Sequence, residues 1–342
     1  MPHLESESNY KNAKSEKEIK ENLKNLNSAF TLAQHDQLIK HDLFAPSYAL
    51  ISENLKESQT AFETGKKDYS LWLVKETISL CMDCHARLPV GVTSSFQNGE
   101  LTVDTKKTRS PYDTGLAYMI VRRFVDAKEN FNRSIQDGLI KKDHKILLPF
   151  QQILMIETKI KKDPVTMISI IQDYLAKNNL PSNIKAELES WNKRLVLWKE
   201  DKALSQGLRN EGELKDFIKR RLLPLKERDS FNDAFKVDLL LASGVISTYF
   251  FENQNSPSAP DLSFWLGWIE KRLKKEEFLS SGDLFLKQCI RKYARHPVAR
   301  ECLKEYQESV EFDFSGSSGT QIPLEVQKEL KDLRLLLGPE KK

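Results

Sequence analysis

The stretch Leu71-Trp72-Leu73-Val74-Lys75-Glu76-Thr77-Ile78-Ser79-Leu80-Cys81-Met82-Asp83-Cys84-His85 decides how this chain is read. Leu71, Val74, Ile78, Cys81 and His85 recur at steps of three and four, which sets them on one stripe of an α-helix. Cys84 follows Cys81 by three positions, so both thiols and the imidazole share a face. Two helices are expected upstream. Ser15-Glu16-Lys17-Glu18 is a capping box, and Ile19, Leu23, Leu26, Phe30 and Ala33 form an apolar seam behind it. After a turn around residues 41–46, Tyr48, Ile51, Leu55 and Phe62 mark the second. Gly65-Lys66-Lys67-Asp68 ends it, with Asp68 expected to cap the third helix.

Cys81-Met82-Asp83-Cys84-His85 has the spacing that covalent attachment of one haem c needs. Two thiols on one helical face can reach the two vinyl groups, and His85 then offers a neutral ring nitrogen to the iron as proximal ligand. Two other readings stay open. A zinc site is expected to have a second cysteine pair of similar spacing, but Cys289 and Cys302 are distant and spaced differently. A thioredoxin-like redox pair is expected after a β-strand, whereas the preceding segment has helical periodicity.

Composition narrows the class. Of 342 residues only 13 are glycine, below the roughly 7% average, and 30% are charged, a mix suited to amphipathic helices with solvated faces. The net charge of +4 is small. The basic clusters Lys219-Arg220-Arg221 and Lys271-Arg272 with Lys274-Lys275 read as solvated helix faces, so no nucleic-acid partner is expected. No stretch approaches the ~20 apolar residues of a membrane span; the longest, residues 239–251, is interrupted by Ser243, Gly244, Ser247 and Thr248. Residues 1–8 lack the charged and apolar regions of a signal peptide. Combined with a haem motif, this gives the expectation of an exported, periplasmic protein whose targeting segment has been removed, with residues 1–14 a flexible leader.

Cys289 and Cys302 lie almost symmetrically about the turn Arg295-His296-Pro297, between two segments of helical spacing. In an antiparallel hairpin they face each other and form a candidate disulfide, which would belong to an oxidising compartment. Two buried free thiols are the alternative.

The segment 15–88 resembles the class II, cytochrome c′-like group of c-type cytochromes. In that group Cys-x-x-Cys-His stands near the end of the last helix of an antiparallel bundle, the place that Cys81-Met82-Asp83-Cys84-His85 occupies here. The resemblance covers under a quarter of the chain and implies a monohaem domain. Only three helices precede the end of the motif, so a fourth is expected from beyond residue 111. Residues 89–111, rich in Pro, Gly, Ser and Thr, read as a linker or haem-covering loop with a short extended piece at 100–103. Residues 112–314 read as a tetratricopeptide-like helical repeat region. Leu116-Ala117-Tyr118 and the run from Arg123 to Ile135 form its first pair, with Ala117 and Ala127 permitting close approach. No strict 34-residue period is present. Phe264, Trp265 and Trp268 read as packing between helices. Residues 315–342 are a flexible turn and a capping helix with Leu324, Val326, Leu330, Leu333 and Leu337 on its docking face. The expected fold is therefore all-α, a helical haem bundle followed by a repeat array.

The sixth iron ligand would set the function. Met119, His35 and His41 are the candidates, and Leu23, Leu26 or Phe30 could instead fill the distal side. The leading expectation is single-electron transfer, with the repeats docking a redox partner protein or a peptide. The alternatives are a repeat scaffold in which haem is structural, and an open-site gas or redox sensor. No paired-carboxylate, phosphate-loop or Ser/His/Asp constellation points to an enzyme, peroxidase-like activity of the haem aside.

Overall fold

The computed structural model describes residue 10 and residues 12–33, 37–89, 110–141, 144–177, 180–228, 235–273, 281–317 and 319–338. Most of the expected leader, residues 90–109 of the expected linker with its extended piece, and His35 lie outside them. The described chain is all-α apart from one two-stranded ribbon. It divides into two compact units, Met1–Ser205 and Gln206–Lys342. The division falls inside the 112–314 stretch, so the helices up to residue 205 belong with the motif helix.

In the first unit, α1 (Glu16–Ala33), α2 (Ala45–Glu63) and α3 (Lys67–Arg87) pack in chain order, α1 on α2 and α2 on α3. Ile19 and Leu23 of the predicted seam join Phe62, Leu71, Val74 and Ile78 in one core cluster. Tyr10 belongs to it as well, 1% exposed and edge-on to Phe62 with centroids 5.4 Å apart. A ring of this size gains much from burial. Where α2 and α3 meet, Ser58 and Ser70 each donate to the other's carbonyl, at 3.1 and 2.8 Å. Asp68 is not the N-cap. Gly65 turns the chain with φ +82°, Lys66 donates its N–H to the Ala61 carbonyl at 2.8 Å, and α3 begins at Lys67. Asp68 instead sits in the first turn, where the helix dipole favours a carboxylate.

Beyond the linker, α4 (Pro111–Ile120) packs on α3 and supplies the expected further helix beside the motif. Ser110 caps it, accepting from the Asp113 N–H at 3.1 Å. It pairs with α5 (Phe124–Lys141), but their close approach is at Gly115 rather than Ala117: a Cβ there would lie 2.5 Å from the Phe131 ring. Ala127 is fully buried, as its size requires. α6 (Leu147–Met155) runs into a π-helical turn, Ile156–Ile160, which packs on α3. α7 (Pro164–Leu175) starts with proline in its first turn, Asp163 accepting from the Thr166 N–H at 2.9 Å. α8 (Ser182–Val196) buries Trp191 and Leu195, with Trp198 buried just past its end, and the short α9 (Lys202–Ser205) closes the unit.

The second unit opens with α10 (Glu211–Phe217), a π-helical turn at Ile218–Leu222, and α11 (Leu223–Glu227). Pro224 has no N–H for the carbonyl four residues back, which is a local cause for that slip in the hydrogen-bond ladder. α12 (Lys236–Glu252) contains the longest apolar run and is buried along most of its length; a helix apolar on all sides belongs in a core. Among the described residues no helix is long and apolar enough to cross a membrane. α13 (Ala259–Leu273) buries Phe264, Trp265 and Trp268 in edge-on contacts, with centroids 5.2 and 5.6 Å apart, the packing role expected of them. α14 (Ser281–Lys292) and α15 (Val298–Asp313) follow, then a small ribbon of β1 (Ser315–Gly316) and β2 (Gly319–Thr320). α16 (Leu324–Leu337) packs on α14 and α15 through Leu330 and Leu333. Leu324, expected on that face, is 81% exposed because it opens the helix ahead of the contact.

Candidate functional site

α3 is long enough that its C-terminal half is walled by α2 on one side and reaches α4 on the other. At about 100° per residue, Cys84 lies about 60° to one side of Cys81 and His85 about 40° to the other. All three therefore fall on one arc. Ile78, directly N-terminal on that arc, sits in the core cluster, against which Leu26 of α1, Met82 and Ile120 of α4 pack. The opposite arc carries Asp83 and Arg87, both buried. They form an ion pair at 3.8 Å, and Arg87 donates to the Ser47 hydroxyl of α2 at 3.3 Å. One face of the helix end thus holds the bundle together, and the other presents the motif.

Cys81 and Cys84 are free thiols, Cys81 buried and Cys84 partly so. Burial, helped by the neighbouring Cys84, pushes the Cys81 thiol up to about 12. A redox-exchange cysteine needs a lowered value that yields thiolate at neutral pH, so this environment opposes the thioredoxin-like reading. Among the described residues no group of three or more His, Cys, Asp or Glu is arranged to hold a metal ion, as a zinc cage requires.

His85 is the most constrained member. Its Nδ1 is hydrogen-bonded to the Ile120 carbonyl, the last residue of α4. A carbonyl only accepts, so the proton must be on Nδ1, and Nε2 carries the lone pair. That is the tautomer an axial ligand needs, with the other ring nitrogen tied to a backbone acceptor. Desolvation pulls the His85 pKa below its ordinary value, the Ile120 bond works upward against this, and the Arg122 charge adds to the lowering. The ring is accordingly neutral at pH 7. The donor set fits haem c: two free cysteines and a neutral, oriented imidazole on one arc.

Two residues beside the motif escape a reading of the sequence. Arg122 stands between α4 and α5 with φ +59°. Its guanidinium donates to the carbonyls of His85, Leu88 (3.2 Å) and Pro89 (3.0 Å), and its cation lies 5.2 Å from the centre of the Phe124 ring. Burial lowers its pKa to about 10, which leaves it charged at neutral pH. Ile120 acts through its backbone, which no side-chain pattern reveals. The run Met119-Ile120-Val121-Arg122-Arg123 contains no glycine or proline to signal the break.

The candidate sixth ligands separate. The Nδ1 of His41 accepts the Leu43 N–H at 3.0 Å, which puts the ring proton on Nε2 and occupies both nitrogens. Met119 is buried at the end of α4, one residue before the Ile120 carbonyl that holds His85. In the second unit Cys289 and Cys302 form the expected disulfide, with Cα atoms 6.3 Å apart.

Comparison with protein families, curated proteins and solved structures gives no match to this chain.

Proposed function

We propose that the chain is a monohaem c-type cytochrome in which Cys81 and Cys84 anchor one covalent haem c and His85 is the proximal ligand of its iron. The observation that carries this reading is the hydrogen bond from His85 Nδ1 to the Ile120 carbonyl, because it leaves Nε2 as a lone-pair donor on the same helix end as two free cysteines. When bound, haem supplies a one-electron couple. The chain's own contribution is to orient the imidazole and keep it neutral by burial. The remaining helices, in tetratricopeptide-like pairs, would dock a redox partner protein. Successive packing of α4 on α5 and of α7 on α8 supports that arrangement. The Cys289–Cys302 disulfide supports an exported, periplasmic setting.

The test is intact mass and a pyridine haemochrome spectrum on protein made with an export signal and cytochrome maturation factors. A covalent gain of one haem is the expected result; protein carrying zinc, or nothing, overturns the reading. A second reading, an open-site sensor of a small gaseous ligand, is favoured by the hydrogen bond that engages His41 Nδ1 within its own turn. It predicts high-spin ferric iron and rapid carbon monoxide binding after reduction, and a low-spin six-coordinate spectrum counts against it.

A further inference from the structure

α3 ends at Arg87, and the last carbonyls of any helix lack intrahelical partners. Here the fork of Arg122, from another part of the chain, takes those of His85 and the C-cap Leu88, together with the carbonyl of Pro89 just beyond. A fixed positive charge thereby stands at the negative end of the helix dipole. The arrangement requires a left-handed backbone at a residue with a long side chain, φ +59°, where glycine would be the easier choice. Two residues away, the Ile120 carbonyl holds the ring of the same histidine. One turn, residues 120–122, therefore grips His85 twice, by backbone and by ring.

We propose that Arg122 is a positioning residue for the candidate axial ligand: it fixes the end of α3 so that His85 keeps one ring orientation and one tautomer. The meaning for iron rests on the haem reading above, while the clamp itself is a property of the chain's own residues. Lysine cannot reproduce it, because a single ammonium cannot span three carbonyls as a planar fork does.

The test compares the full-length protein with Arg122→Gly and Arg122→Lys, each made with and without haem maturation factors. Glycine accepts the positive φ without strain, so Arg122→Gly removes the guanidinium while leaving the turn easy to form. In the haem-free protein, amide exchange over residues 84–88 should accelerate about 10- to 100-fold on loss of these charged hydrogen bonds. The ring nitrogen-15 signals of His85 should move from a single Nδ1–H tautomer to a mixture. In haem-loaded protein the iron–histidine stretching band should shift or split, with Arg122→Lys in between. Unchanged exchange and ring signals in Arg122→Gly would overturn the proposal, and so would faster exchange spread evenly over the first unit. If the parent protein takes up no haem, the haem reading fails, and the exchange and nitrogen-15 measurements still decide the role of Arg122.

Discussion

The imidazole of His85 and the backbone carbonyl of Ile120, 35 residues apart in the chain, are hydrogen-bonded through Nδ1. The bond ties the motif helix to the start of the next group of helices, so the site is not complete within residues 15–88. A fragment ending at the motif would keep the thiols and the imidazole but lose the group that selects its tautomer. Neutrality has a separate origin, since burial of the ring is the first cause of its lowered pKa.

Removing both thiols separates attachment from folding. Cys81→Ala with Cys84→Ala should abolish covalent haem while the helical circular dichroism persists, because a buried sulfur contributes on the order of 1 kcal/mol to packing. If the haem reading holds, Cys84→Ala alone should keep one thioether and shift the pyridine haemochrome band toward that of a haem with one free vinyl. Covalent haem in the double variant would mean that other residues are the anchors.

The apolar seams of α1 and α2 and the motif stripe of α3 were legible as short-range periodic signals, and the facing cysteines as a near-symmetric pair about one turn. Ile19, Leu23, Ile51 and Leu55 are buried where a 3.6-residue repeat puts them. What escaped depends on partners distant in sequence. Tyr10 is a core residue because Phe62 meets it, Gly115 matters because Phe131 does, and Arg122 because the end of α3 does. The division at residues 205 and 206 had no composition signal either, as the chain stays helical on both sides.

The contact of α13 with α14 tolerates no side chain at Gly282. A Cβ there would lie 2.4 Å from the Lys271 backbone nitrogen and 2.7 Å from the Gly267 carbonyl oxygen, neither of which can rotate away. Gly282→Ala should lower the stability of the second unit by about 1–3 kcal/mol, the usual cost of overpacking. Gly316→Ala, where no atom stands within 4 Å, is the matched control. Urea unfolding that gave equal midpoints for the two variants would refute the backbone clash.

Asp283, in the first turn of α14, makes the second unit pH-sensitive. Burial is the main cause of its pKa being raised to about 6; Asp313 adds to the rise, while Ser309, Lys271 and Lys287 oppose it. The folded state therefore holds this proton more tightly than the unfolded chain does. Stability should fall as pH rises from about 4 to about 6 and level off above, because the unfolded group has already ionised near pH 3.9. Asp283→Asn should remove roughly 2 to 3 kcal/mol of that fall. The measurement is the difference in unfolding free energy between parent and variant across pH 4–7, and a difference independent of pH would contradict the assignment.

The Cys289–Cys302 bond closes a short loop, 13 residues apart, at the contact of α14 with α15. Both sulfurs are fully buried, so the bond replaces two packed thiols without opening a path to water. Cross-linking a loop of this length limits the unfolded chain by about 3 kcal/mol. Replacing both cysteines with alanine should then lower the urea midpoint of the second unit and speed amide exchange over α13 to α15. Mild reductant on the folded parent should do neither, because a thiol must first reach a buried sulfur. Reduction in partly denaturing urea should reproduce the double variant. Free thiols titrating in the native protein made with an export signal would show that the pair is not bonded, and would remove the disulfide as support for an oxidising compartment.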